Sequence, residues 1–404
     1  MPGRLKRGLL LAGLALAAVA AVAAAVVLVV LSRADPPEPD SFYDAPSSLP
    51  EGPPGRVIRS EELDDPPDGA RAWRILYLSR GLDGAPAALS GLLFVPDGPA
   101  PEGGREVVAH THGTVGVARG CAVSRIGADY WPAVDGLDAM LGRGAAVVVP
   151  DYQGLGTAGP HPYLVGEAEA TATLDAVRAA HAFGDADAGT RFVVWGASQG
   201  GHAALFTGQL AASYAPELTL LGVAAAAPAT DLVRLFVANR GTMLGRLLSA
   251  YTLASWSEVY PSLRLDQVVA ASARPVVRRI ATICVGIRDA DLVAQGVLTT
   301  LLRIRYLRAV PWETEPWRGL LRANTPGSAP IPAPVMVTQG DDDPLVRPPI
   351  TAAFVERLCA AGQAVVYRTY PGVRHLDAGP ATAADVAEWV GDRFAGRPAP
   401  TTCR

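Results

Sequence analysis

Nucleophilic chemistry in this chain centres on Gly196-Ala197-Ser198-Gln199-Gly200, between the apolar run Phe192-Val193-Val194-Trp195 and a helix-like stretch over 201–212. A serine hydroxyl attacks a carbonyl when it is held on a sharp strand-to-helix turn, and glycines at minus two and plus two remove the bulk that would block that turn. The following helix aims its first amides at the reacting centre, where negative charge develops on oxygen. The flanking strand and helix give the pentapeptide a specificity that the bare pattern lacks.

Where such a turn carries the nucleophile, its partners follow in the order serine, acid, histidine. Of the six histidines, His110, His112, His161 and His181 precede Ser198, and His202 follows it by four residues, one turn along the same helix. That leaves His375 as the base, in the loop Pro371-Gly372-Val373-Arg374-His375 between a strand over 364–370 and a helix over 380–394. The acid should end the preceding strand. Pro334-Val335-Met336-Val337-Thr338-Gln339 runs into Gly340-Asp341-Asp342-Asp343-Pro344, and three adjacent carboxylates cannot all face one imidazole. The spacing Gly340-x-x-Asp343 places Asp343 past the turn and favours it as the orienting acid, with Asp342 as the alternative.

The second oxyanion donor is expected after the strand over 106–111, in His112-Gly113-Thr114. Gly113 would let the backbone turn back toward the serine, so that the Thr114 amide pairs with that of Gln199. His110 and His112 share one face of this strand, but no third ligand stands at metal spacing and no metal is expected. Asp151, Tyr152 and His202 read as packed, hydrogen-bonding groups. His161-Pro162-Tyr163 reads as the opening of a helix, with His181 near its end.

Elements able to hold these residues follow from hydrophobic periodicity. Strands are expected at 72–79, 89–95, 107–111, 145–149, 192–195, 220–225, 335–339 and 365–370. Helices at 165–183, 201–212, 350–361 and 381–394 alternate with the later strands, which gives an α/β fold with a mainly parallel sheet wrapped on both faces. Residues 35–70, rich in Pro, Asp and Glu, read as a linker and irregular surface wrap. The rhythm stops over 231–328, where helix-like stretches at 232–238, 244–253 and 292–307, with Trp256, Trp312 and Trp317, suit an inserted helical cap between core segments 71–230 and 329–404.

His112-Gly113-Thr114-Val115-Gly116, Pro150-Asp151-Tyr152-Gln153-Gly154-Leu155-Gly156, His161-Pro162-Tyr163-Leu164 and Trp195-Gly196-Ala197-Ser198-Gln199-Gly200-Gly201 together resemble the secretory lipase family, from about residue 42 to the C-terminus. The resemblance implies an α/β-hydrolase fold, carboxylic ester hydrolysis without a cofactor, a lipid or other ester as substrate, a helical cap before the acid-bearing strand, and a triad at Ser198, Asp343 and His375. Yeast members carry a C-terminal flap over the pocket, whereas only about ten residues follow Phe394 here.

Residues 8–31 are apolar and uncharged, preceded by Arg4, Lys6 and Arg7 and followed by Ser32-Arg33-Ala34 and a proline-rich acidic stretch. Their length exceeds a signal h-region and suffices for a bilayer, so residues 1–34 read as a signal anchor with the N-terminus inside. Cleavage after Ala34 is the alternative. In the anchored form Pro36-Pro37-Glu38-Pro39-Asp40 would be a short stiff spacer between bilayer and enzyme. The formal net charge is −4 and, without Arg4, Lys6, Arg7 and Arg33, falls to −8, which excludes nucleic acid as a partner. Cys121, Cys284, Cys359 and Cys403 all lie in the exported part; an even number in an oxidising compartment suggests two disulfides, with three connectivities open. The resemblance implies Cys121 with Cys284 and Cys359 with Cys403. The chain thus reads as an extracytoplasmic serine lipase or esterase, a cell-envelope acyltransferase being the second enzyme class and an inactive hydrolase-like binding protein the alternative outside enzymes. Nothing in the sequence bears on oligomeric state.

Overall fold

Runs of β-branched and aromatic residues become the strands of one nine-stranded sheet: β1 (Val57–Glu62), β2 (Ala70–Arg80), β3 (Pro86–Pro96), β4 (Arg105–Thr111), β5 (Ala146–Pro150), β6 (Ala188–Ala197), β7 (Thr219–Ala226), β8 (Val335–Gly340) and β9 (Val365–Tyr370). This computed structural model describes residues 36–285, 289–302 and 306–403, with residues 18, 21, 25, 29 and 31–34 of the amino-terminal segment. The signal or anchor role expected of residues 8–31 lies largely outside the described residues. Among the described residues no helix is long and apolar enough to cross a membrane.

The strand order is β1-β2-β3-β5-β4-β6-β7-β8-β9. Strands β1 to β3 and the β3–β5 pair are antiparallel, and every pairing from β5 to β9 is parallel. Parallel strands are buried on both faces, which is why β5 (Ala-Val-Val-Val-Pro) is apolar at each position rather than alternating. Chain order reverses at β4, flanked by β5 and β6, and such a switch point opens a crevice beyond the carboxyl ends of the strands.

The α-helices used below are α1 (Val123–Ile126), α2 (Leu137–Leu141), α3 (Gly166–Ala182), α4 (Gln199–Tyr214), α5 (Leu232–Asn239), α6 (Met243–Val259), α7 (Leu265–Val268), α8 (Arg274–Ala281), α9 (Asp289–Leu301), α10 (Trp317–Ala323), α11 (Pro348–Ala360) and α12 (Ala378–Phe394). Helices α3 and α4 pack on each other and on the central strands, while α2 and α12 pack together on the other face. Helices α5 to α10 lie between β7 and β8 and have a hydrophobic cluster of their own, in which Trp256 stacks on Trp317 at 6.4 Å between centroids. This cluster continues into Tyr163 and Leu164, and Trp256 Nε1 donates to the Tyr163 carbonyl at 2.7 Å.

Four expectations are corrected. Within 35–70 the chain forms a strand, β1, whose Arg, Ser and Glu residues leave no apolar alternation to reveal it; such polarity suits a sheet edge. Helix α9 stops at Leu301, and Leu307 instead pairs with Val269 in an isolated bridge. Residues 161–163 precede helix α3, which opens at Gly166 after the buried turn at Leu164. The Pro36–Asp40 stretch is no free spacer. A Cβ on Gly120 would stand 2.8 Å from both Pro36 and Pro37, and Ala34 is fully buried.

Candidate active site

The turn between β6 and α4 holds Ser198 at φ 57°, ψ −116°, a conformation that side chains rarely adopt and that a nucleophile elbow requires. The elbow is fastened on both sides. Ser198 N donates to the Ala226 carbonyl at 2.9 Å, and Thr111 Oγ1, ending β4, donates to the carbonyls of Trp195 and Gly200 at 3.1 and 2.8 Å. A Cβ on Gly200 would stand 1.9 Å from the Thr111 carbonyl oxygen, so only glycine admits this approach of β4.

The loops after β8 and β9 complete the constellation. His375 Nε2 lies 2.9 Å from Ser198 Oγ, and His375 Nδ1 lies 2.8 Å from Asp343 Oδ2. Because Nδ1 faces a carboxylate it carries the proton, which leaves Nε2 free to accept one from the serine. Asp343 is 3 % exposed and held from several sides: Oδ1 accepts from the amides of Leu345 and Val346 at 2.8 and 2.9 Å, and Oδ2 from Gln339 Nε2 at 3.2 Å. Asp341 and Asp342 are exposed, and Asp341 accepts from the Gly372 amide at 2.6 Å, bracing the loop that leads to His375. A Cβ on Gly340 would stand 2.1 Å from the Val373 carbonyl oxygen, so glycine also sets how closely the two loops approach.

Thr114 and Gln199 line one pocket with Ser198. Gln199 is the first residue of α4, whose opening amides lack intrahelical acceptors. Gly113 is not in a left-handed conformation, and a Cβ there would meet its nearest neighbour at an ordinary 3.6 Å; the turn toward the serine does not use the glycine's freedom. The loop is instead braced by its neighbours. Tyr152 Oη donates to the His112 carbonyl at 3.0 Å, His112 Nδ1 donates to the Gly113 carbonyl at 2.7 Å, and Thr114 Oγ1 lies 2.8 Å from Tyr163 Oη. Burial pushes His112 down to about 4 and His110 to about 3, so both rings are neutral packing groups, His110 against the edge of Trp195. Burial pushes the Asp151 carboxyl up instead, and it accepts from Ser90, Ser124 Oγ and the Ser124 amide.

Two groups escaped sequence reasoning. Glu169 on α3, fully buried, accepts from Gln199 Nε2 at 2.8 Å and pairs with His202 Nδ1 at 2.6 Å, while His202 Nε2 lies 2.8 Å from the Asn324 carbonyl. Gln339 links Asp343 to Thr351 Oγ1. The only signal for Glu169 is an acid inside an alanine-rich helix, and Gln339 left none.

The pocket has a cavity volume of about 60 Å³, and its lining is largely apolar: Leu232, Leu235 and Phe236 from α5 and Leu248 from α6. Phe236 and Thr252 also line a small void of about 10 Å³ beside Trp312 and Trp317.

A nucleophile elbow, an acid and a histidine at the ends of three parallel strands, β6, β8 and β9, of a mainly parallel sheet define an α/β-hydrolase. Residues 134–402 match the secretory lipase family model, and the chain belongs to that family, a carboxylic ester hydrolase by class. It is 26% identical over 389 residues to a Mycobacterium tuberculosis protein named a probable inactive lipase, covering 90% of this chain and 83% of that one. It is likewise 26% identical to a secreted triacylglycerol lipase of Malassezia globosa, covering 90% and 81%. Among solved structures, Candida antarctica lipase A in its closed state superposes with a TM-score of 0.73 at 20% identity over 90% of this chain and 87% of that one, a likeness of fold.

Proposed function

We propose that this chain hydrolyses lipid carboxylic esters outside the cytoplasm through an acyl-serine intermediate. The observation that carries the reading is the unbroken line from Ser198 Oγ through His375 to the buried Asp343, opening into an apolar pocket. Ser198 Oγ bonds to the ester carbonyl carbon as His375 Nε2 takes its proton, and the carbonyl electron pair moves onto oxygen beside the Thr114 and Gln199 amides. Collapse expels the alkoxide, which leaves with the proton from His375. Water then repeats the sequence on the acyl-serine and releases the acid, so water is the only co-reactant. Asp343 stays ionised, fixing the imidazole tautomer and stabilising the imidazolium. Helices α5 to α10 act as the cap, and the leucines and Phe236 of α5 and α6 receive the acyl chain.

A fluorophosphonate probe should label the wild-type chain at Ser198, and turnover of p-nitrophenyl esters and triglycerides should rise with acyl length before levelling. An unlabelled, folded wild-type chain would refute the serine mechanism. Preference for acetyl over longer chains would refute the lipid reading.

Export is supported by the disulfides Cys121–Cys284 and Cys359–Cys403, since such bonds persist in oxidising compartments. Residues 8–31 act as an uncleaved anchor in this reading. The protein is then expected in the membrane fraction with its catalytic part open to external protease. Mature protein in the medium beginning near Asp35 would show instead that the segment is removed.

A further inference from the structure

An open cleft separates α8 from residues 117–119 and 159–161, away from Ser198. Four arginines line it, Arg119, Arg264, Arg274 and Arg278, against two acids, Glu258 and Asp266, in a chain whose overall charge is negative. Arg119 is paired with Asp44 and Arg264 with Asp266. The guanidinium groups of Arg274 and Arg278 have no hydrogen-bond or ion-pair partner among the described residues, and Arg274 Nε is buried with no acceptor. These two stand one turn apart on α8, where unneutralised like charges repel. A guanidinium fork lacking its acceptor is matched by the oxygens of a phosphate.

What lies beside the cleft indicates where such a ligand comes from. The Leu31 carbonyl, at the end of the apolar segment, accepts from the guanidinium of Arg279 on α8. Ala34 is buried in the hydrophobic cluster to which α8 contributes Val277 and Ile280, and Pro36 and Pro37 lie against Gly120, next to Arg119. Helix α9, packed on α8, leaves Leu292 and Val293 about half exposed. The end of the apolar segment, an arginine pair and exposed aliphatic side chains therefore share one region of the molecule.

We propose that this cleft binds the phosphate of an anionic lipid headgroup, seating the enzyme on the bilayer surface from which its amino-terminal segment emerges. The inference rests on the anchored reading for its geometry, with Arg274 and Arg278 as the phosphate ligands. Electrostatic capture of this kind adds to an apolar anchor and fixes the orientation of the catalytic part.

The test uses the full chain in uncharged detergent micelles doped with dihexanoylphosphatidylglycerol, dihexanoylphosphatidylcholine or inorganic phosphate. The phosphatidylglycerol should raise the thermal midpoint by about 1–3 °C, since a ligand bound only by the folded state stabilises it. The shift should vanish in Arg274→Gln/Arg278→Gln and in about 0.5 M NaCl, where screening is strong. The double variant should hydrolyse soluble p-nitrophenyl butyrate at the wild-type rate. An equal shift with phosphatidylcholine, a shift that survives the double substitution, or no shift at all would overturn the proposal. A full shift with inorganic phosphate alone would overturn the lipid assignment in favour of a soluble anion. Micelle binding is read whether or not residues 8–31 span a bilayer, so it fails separately from the anchored reading, which membrane fractionation tests.

Discussion

Ser198→Ala is expected to lower kcat on p-nitrophenyl butyrate by on the order of a million-fold, with His375→Ala losing about as much and the double variant little more, because groups that act as one unit lose their effect together. The geometry gives the reason. Without Ser198 Oγ no group stands 2.9 Å from His375 Nε2 to attack, and without His375 the serine keeps its proton. Asp343→Asn is expected to cost about ten-thousand-fold, since an amide in place of the carboxylate can donate to Nδ1 and turn the imidazole to the wrong tautomer. Asp341→Asn and Asp342→Asn should stay within about ten-fold of wild type, because both side chains are exposed and neither is hydrogen-bonded to the imidazole. Active-site titration with a fluorophosphonate separates lost chemistry from lost protein. An Asp342 variant more impaired than the Asp343 variant would remove Asp343 from its role.

The largest effect on stability is expected at Cys121–Cys284, which closes 163 residues. In the chain-entropy model a loop of that length restrains the unfolded chain by about 5 kcal/mol, and the 44-residue loop of Cys359–Cys403 by about 4. Domains are stable by only about 5–15 kcal/mol, so the first bond alone is comparable with the whole. It also ties the loop that follows Thr114 to the insertion, an attachment repeated by the Val285 amide donating to the Val115 carbonyl at 2.8 Å. Cys121→Ala/Cys284→Ala should therefore unfold at markedly lower denaturant and lose activity before it unfolds globally, as the oxyanion loop loosens. Cys359→Ala/Cys403→Ala, which pins only the tail against β9 and α11, should lose stability while its kcat below the transition is unchanged. Equal midpoints for the parent and the first variant in urea titrations followed by tryptophan fluorescence would contradict this account.

Much of the proposed site was legible in the sequence, and the reason is local. The elbow is a turn within five residues flanked by a strand and a helix, and the order serine, acid, histidine left one histidine among six. All eight expected strands occur, the central parallel ones because continuous apolar runs mark strands buried on both faces. The resemblance to secretory lipases rested on four short strings in sequence order, and it carried the cysteine pairing that residue spacing left open.

What stayed hidden is non-local. The spacing Gly340-x-x-Asp343 favoured Asp343 among three acids, but what holds that carboxylate at the imidazole depends on how the chain leaves β8. The turn sends one carboxylate inward to the amides of Leu345 and Val346 and the other two to solvent. Strand β1 was invisible because an edge strand needs only a partner's backbone, and its polar side chains record no buried face. The pairing of Glu169 with Gln199 and His202 exists only where α3 crosses α4, and an acid in an alanine-rich helix does not name its partner. Ser198 and His375 are 177 residues apart and meet because β6 and β9 end on the same edge of one sheet. Periodicity and turn chemistry are written within a window of a few residues, whereas contacts between windows are set by strand order and register.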